Sequence, residues 1–286
     1  MKLSTEFRSI SRHVGEEKAI EYIAKAGFDA WDFSILCMVN YNWSTNICSP
    51  CAHPLAGNEY LKFVRKLKKV SDDNGIVCNQ SHAAYPTYCK DIRDTFERAL
   101  ECTAEAGGTI CVIHPDNFKS AEENAEMFLE LLPYAKQYGV KIAAENMWSW
   151  SEERGCVIPA ACSSPKSFND HLDAVNDEFF VACLDIGHAE MKGVDTSASE
   201  MILALGNRLQ ALHIHDNNHY NDSHQIPFSM EIDFVPVADA LREINYSGYL
   251  TLEAVSYPSA FNKDNVFSAV CDMQKAAKRL SDMIEK

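Results

Sequence analysis

The stretch Gly139-Val140-Lys141-Ile142-Ala143-Ala144-Glu145-Asn146 decides the fold. A glycine ends one element, a short apolar run follows, and a carboxylate stands where the run stops. Upstream, residues 121–137 place Ala125, Phe128, Leu131, Leu132 and Ala135 at helical spacing. The unit is helix, glycine, strand, polar end. It recurs: Gly27, Gly75 and Gly107 hold the same position before other strands. Strand-like runs stand at 76–78, 109–113, 140–144, 180–184, 209–212 and 249–252, with weaker ones around 3–7 and 30–34, eight in all. Amphipathic helices separate them, among them 58–73 and roughly 263–284. Eight strand–helix units predict one α/β domain over residues 1–286, a closed (β/α)8 barrel. An open doubly wound sheet would want a glycine-rich turn after the first strand. Arg8-Ser9-Ile10-Ser11-Arg12-His13 stands there instead.

Composition fits this reading and excludes others. The 286 residues are 47% hydrophobic and 23% charged, an ordinary globular balance. No apolar run approaches the ~20 residues of a membrane span. With 26 basic against 41 acidic residues the net charge is −15, which disfavours nucleic acid and anionic membrane as partners. The 11 cysteines are odd in number, and several (Cys78, Cys111, Cys183) lie in apolar runs as small hydrophobes. No apolar signal core follows Met1, so a reduced, cytoplasmic protein is expected. Cys48 and Cys51, with Cys37 and His53 near, are too loosely spaced for a structural zinc, and residues 37–57 read as a surface loop.

The chemistry sits at the strand ends, which in a barrel face one rim. Those ends carry His82, His114, Glu145-Asn146, Asp185 with His188, His213 with His215, and Glu253; the loop after the seventh strand adds Asp222 and His224. Carboxylates and imidazoles gathered without a counter-charge would cost several kcal/mol each, about the scale a divalent cation offsets. Oxygen and imidazole donors without an evident thiolate suit Mn, Mg, Co or Zn. Glu145, Asp185, His213 and Glu253 form a compact ligand shell, with Ala143 and Glu145, and Thr251 and Glu253, sharing strand faces. His215 reads as a supporting or substrate contact. His82, His114, Asp222 and His224 are further metal or substrate candidates. Aromatics near the rim, Trp31 and Trp148 among them, suit an apolar wall against a sugar ring, with Asn146 adding a polar contact.

These motifs resemble the xylose isomerase-like barrel superfamily, which holds sugar phosphate isomerases and epimerases and endonuclease IV-type enzymes. The resemblance covers nearly the whole chain. It is carried by Ala144-Glu145-Asn146, Leu184-Asp185-Ile186-Gly187-His188, Leu212-His213-Ile214-His215-Asp216, Ile232-Asp233-Phe234 and the closing run Tyr246 to Glu253. It implies one divalent ion on Glu145, Asp185, His213 and Glu253, with both glutamates moving a proton beside a carbonyl through an enediolate. His188 resembles the family's contact to a substrate oxygen. The implied partner is a small sugar, sugar phosphate or cyclic polyol ketone, and the implied assembly a homodimer or homotetramer.

The endonuclease IV branch is the rival. It implies up to three zinc ions spread over His82, His114, Glu145, Asp185, His188, His213, Asp222, His224 and Glu253, activating water against a phosphodiester. Three departures weigh against it. The loop His219 to Phe228 lacks that branch's flanking Gly-rich signals. The strand-end loops are poor in Arg and Lys. No basic residue lies between Cys37 and Tyr60.

Overall fold

Twelve strands and eleven α-helices are found in the computed structural model, which describes residues 1–286. The strands are β1 (Lys2–Glu6), β2 (Ala30–Ser34), β3 (Asn40–Asn42), β4 (Ile47–Ser49), β5 (Val77–His82), β6 (Ile110–Ile113), β7 (Lys141–Glu145), β8 (Trp148–Ser151), β9 (Cys156–Pro159), β10 (Phe180–Asp185), β11 (Leu209–His213) and β12 (Tyr249–Leu252). The helices are α1 (Arg8–Val14), α2 (Glu16–Ala26), α3 (Tyr60–Asp73), α4 (Lys90–Arg93), α5 (Phe96–Ala106), α6 (Ala121–Tyr138), α7 (Pro165–Val175), α8 (Ile186–Ala189), α9 (Ala198–Leu205), α10 (Phe234–Glu243) and α11 (Val266–Ile284).

Eight parallel strands run in the order β11-β10-β7-β6-β5-β2-β1-β12. The ring closes just beyond β11, where Ile214 N donates to Thr251 O and Glu253 N donates to Ile214 O. All eight expected strands are present, and the fold is the expected TIM barrel. Gly27, Gly107 and Gly139 end α2, α5 and α6 in the left-handed conformation that a Cβ disfavours. Ser120 with Glu123 and Ser197 with Glu200 close reciprocal caps at the starts of α6 and α9. No helix is long and apolar enough to cross a membrane.

Period-two alternation sorts the strand side chains. On β2, Trp31 and Phe33 face outward and pack with Phe7, at centroid distances of 5.2 and 5.6 Å from it. Asp32 between them faces the barrel interior. One part of that interior is apolar, built from Val112, Ala143, Val181, Cys183 and Ala211. The other is a hydrogen-bonded layer. Ser4 Oγ donates to Asn79 Oδ1 at 2.6 Å, Asn79 Nδ2 reaches Thr251 Oγ1 and Gln80 Oε1 at 3.1 Å each, and Gln80 Nε2 donates to Asp32 Oδ2 at 3.0 Å. These bonds satisfy the amides and hydroxyls of the layer, as a low-dielectric interior requires, and leave Asp32 Oδ1 without a partner. This layer is the floor of the site.

The segment 37–57 is more ordered than a plain loop: β3 and β4 pair as an antiparallel hairpin. Its Cys48 Sγ lies 3.6 Å from Cys89 Sγ, while His53 reaches Glu16 at 3.1 Å and accepts from Leu55 N. Cys37, Cys48, Cys51 and His53 are thus not gathered as a metal set.

Candidate metal centre and cavity

The strand ends converge on one rim. There Glu145, Glu253, His82, His114, His188, Asp222 and His224 line a cavity of about 710 Å³. Asp185, His213 and His215 lie fully buried behind that lining. Glu145 is the hub. Its Oε2 is 3.1 Å from His114 Nε2, 3.3 Å from His213 Nδ1 and 3.5 Å from His82 Nε2. Glu253 Oε2 lies 3.8 Å from His213 Nδ1 and 3.7 Å from His224 Nδ1. Asp222 Oδ2 sits 3.3 Å from His188 Nε2 and 3.2 Å from His224 Nε2. Asp185 Oδ1 is 3.1 Å from His215 Nε2 and 4.0 Å from His188 Nδ1.

Backbone contacts fix which nitrogen of each ring faces inward. His82 Nδ1 meets Ala83 O at 2.8 Å, His188 Nδ1 meets Asn146 O at 2.9 Å, and His224 Nδ1 meets Glu253 O at 2.8 Å. Each Nδ1 must carry the proton to donate there, which leaves Nε2 of the neutral ring as a bare lone pair. Those lone pairs point at carboxylate oxygens, and His82 Nε2 also faces His114 Nε2 across 3.0 Å. Lone pair against lone pair is repulsive unless a proton or a cation lies between.

His213 is oriented the other way: its Nε2 faces Asp32 Oδ2 at 3.2 Å, leaving Nδ1 toward Glu145 and Glu253. A carboxylate behind an imidazole in this way sets its tautomer and raises its basicity as a ligand. Among buried polar atoms without a hydrogen-bond partner are Asp32 Oδ1, Glu145 Oε2, Asp185 Oδ2, His213 Nδ1, His215 Nε2 and Asp222 Oδ1. Orphaned buried atoms are rare in a folded protein, and these six belong to one cluster. Burial opposes ionisation of Glu145 and Asp222, but the imidazoles of His213 and His114 around the first, and His188 and His224 around the second, outweigh it and hold both carboxyls well below the usual range.

The loop between β11 and α10 delivers Asp222 and His224. Buried Asp216 anchors it, accepting from Ser229 N, Met230 N and Ile232 N at 2.9, 2.8 and 3.1 Å. Two short-range features complete the β10 end. Asp185 Oδ1 accepts from His188 N at 2.7 Å, and Gly187 lets the His215 ring lie against the backbone, where a Cβ would meet its Cε1 at 1.9 Å.

Several sequence expectations need correction. Trp31 is not a substrate wall: it is fully buried outside the barrel, donating from Nε1 to Ser71 Oγ at 2.9 Å. Asn146 does not reach substrate either. Its amide is consumed by the β10 backbone, accepting from Asp185 N at 2.7 Å and donating to Asp185 O at 2.9 Å. Trp148 does line the cavity. Sequence reasoning missed Asp32, Glu6 and Tyr85, all in the lining. A lone aspartate between two aromatics on a barrel strand was the available signal for Asp32.

Comparisons with known proteins agree with this architecture. The xylose isomerase-like TIM barrel family matches residues 20–282. The uncharacterized protein MJ1311 of Methanocaldococcus jannaschii is 28% identical over 252 residues, covering 82% of this chain and 78% of that one. A D-tagatose 3-epimerase-like protein shares the fold at TM-score 0.72 and 21% identity, covering 100% of this chain and 98% of the other. The IOLI protein with a binding zinc atom does so at TM-score 0.68 and 17% identity, covering 99% and 98%. With the match running across most of the barrel, the chain belongs to the xylose isomerase-like TIM barrel family.

Proposed function

We propose that this protein is a divalent-metal-dependent sugar isomerase or epimerase that moves a proton beside a carbonyl. The observation that carries the metal is the set of six orphaned buried donor atoms in one imidazole–carboxylate cluster. Glu145, His213 and Glu253, with Asp185 behind, would hold the ion, and Asp32 would orient His213. When bound, a divalent ion polarises a carbonyl and lowers the barrier to removing the adjacent proton.

The remaining work falls to side chains. Glu253 and Glu145 both border the cavity, so each is in reach of a bound sugar and can accept or return a carbon-bound proton. Glu145 is enclosed by three imidazoles and Glu253 is the more accessible of the two. His188, held by Asn146 O, is placed to contact a substrate oxygen from the rim. Trp148 gives an apolar face for a sugar ring. The fold is also that of proteins named D-psicose 3-epimerase and L-ribulose 3-epimerase, which supports a sugar substrate.

The test is proton exchange in deuterated water. Metal-loaded protein should wash deuterium into the carbon beside the carbonyl of at least one ketose or keto-inositol in a panel, and Glu145→Gln should abolish it. No exchange from any member would remove the isomerase reading.

One observation favours a second reading. His82, His114 and Glu145 form one close group, and His188, Asp222 and His224 with His215 another. Two such groups beside the Glu145–His213–Glu253 set could hold up to three zinc ions, as a phosphodiesterase acting at abasic sites would need. Cleavage of abasic duplex DNA by protein holding two or three zinc ions per chain would establish that reading instead.

A further inference from the structure

The cavity has two side chains of permanent positive charge in its lining, Arg8 and Arg12, one helical turn apart on α1. They share that wall with Ser9, and with Ser256 and Ser259 from the segment after β12, the strand next to β1. Neither arginine has an ion pair or a side-chain hydrogen bond within the chain. They share this with Arg154 and Arg279, in a chain where acidic residues outnumber basic ones by 41 to 26. Elsewhere Arg65 pairs with Glu105, Arg208 with Asp173 and Arg242 with Asp239.

The cavity itself offers carboxylates, including Glu6, Glu145, Asp222 and Glu253, yet none lies within ion-pair distance of Arg8. Glu6, two residues away, bonds to Ser9 instead. β1 stands four strands from β7 either way round the ring, so Arg8 and Trp148 occupy opposite walls.

We propose that Arg8 and Arg12 form an anion subsite in the cavity wall, so that the substrate is an acidic sugar bearing a phosphate or carboxylate group. The word sugar rests on the isomerase reading; the anion subsite does not. A guanidinium fork matches both oxyanions in a bidentate way, and the hydroxyls of Ser256 and Ser259 supply the neutral donors that usually accompany it. The ring would lie toward Trp148 with its carbonyl over the carboxylate–imidazole floor, and the anionic end toward α1.

The test uses full-length, metal-loaded protein, the Arg8→Gln/Arg12→Gln variant and an Arg8→Lys control. Inorganic phosphate is titrated first by calorimetry. Binding should weaken at least ten-fold in the double variant and less in Arg8→Lys, with metal content and melting temperature unchanged. Phosphate that fails to bind the wild type, or binds the double variant equally well, overturns the subsite. Deuterium exchange is then compared for D-fructose, D-fructose 6-phosphate and D-tagaturonate. Preference for the ester identifies phosphate and preference for the uronate identifies carboxylate, and either preference should vanish in the double variant. A neutral sugar turned over as well as both acids, in wild type and variant alike, overturns the substrate class. Arginine-dependent phosphate binding without exchange from any sugar would leave the subsite standing and remove the isomerase reading.

Discussion

His213 Nε2 and Asp32 Oδ2 face each other at 3.2 Å, both fully enclosed, across 181 residues of sequence. The contact joins β11 to β2 through the barrel interior, and Gln80 Nε2 holds the same aspartate oxygen at 3.0 Å. Asp32→Ala should free the His213 ring and leave the fold intact. Metal affinity should fall by about 10–100-fold, the range for losing such a supporting carboxylate. Competition titration against a chelator reads this directly, and unchanged affinity would mean that His213 is not a ligand.

Both cavity glutamates are expected to be needed for proton transfer, but unequally. Glu145→Gln removes the hub of the cluster and should lower metal content and exchange together. Glu253→Gln should lower metal content less than Glu145→Gln does and, at matched occupancy, lower exchange by about 10²–10⁴-fold, the usual worth of a positioned acid or base. Elemental analysis beside the exchange rate separates the two effects. Full exchange in Glu253→Gln would take the acid–base role from that residue.

Asp222→Ala combined with His224→Ala probes the second group of donors. If His188, Asp222 and His224 hold an ion of their own, metal content per chain should drop by about one equivalent. Elemental mass spectrometry of untagged protein measures it. An unchanged count would make these residues a structural network.

Gly187→Ala should be costly although the substitution is small. The new methyl would stand 1.9 Å from His215 Cε1, and His215 is walled in by Asp185, Asp222 and the stacked His224 ring. Overpacking of this kind destabilises by roughly 1–3 kcal/mol. Urea unfolding would measure the loss. A wild-type midpoint would show that His215 can move aside freely.

Glu6 predicts a pH dependence. Burial raises its carboxyl from 4.5 to about 7. Between those values the folded chain keeps a proton that the unfolded chain releases. The stabilising contribution is therefore complete below pH 4.5 and is lost as pH rises through about 7. Glu6→Gln removes the titration, so the variant should gain on the wild type by up to about 3 kcal/mol at alkaline pH and match it near pH 5. Urea unfolding of metal-free protein from pH 5 to pH 8.5 tests the sign. Parallel pH profiles would show that Glu6 does not titrate on its own.

The barrel was legible because its signal is local and repeated. Strand runs recur eight times, Gly27, Gly75, Gly107 and Gly139 precede four of them and an acidic or imidazole residue closes six, and closure then forces those ends together. Glu145, His213 and Glu253 could be read that way. Trp31 could not be placed by its chemistry alone: alternation along β2 sends it outward and Asp32 inward, and the reading followed the aromatic. Asn146 was misjudged because its partner, the Asp185 backbone, lies 39 residues away on a neighbouring strand. Asp222 and His224 were legible as candidates only. Their approach to His188 depends on Asp216 drawing the loop back, a tertiary contact that no spacing encodes.

The ring closes at a single sparse junction, Ile214 against Thr251 and Glu253. His213 ends the strand on one side of that junction and Glu253 follows the strand on the other. An ion gripped by both would rivet β11 and β12, the two ends of the strand order, together. Its occupancy would then govern how readily the cylinder springs open. Amide hydrogens of Ile214 and Glu253 should exchange far more slowly when the ion is present, by the factor 1 + [metal]/Kd that linkage requires. In such a protein the reagent for the chemistry would also be the clasp of the scaffold.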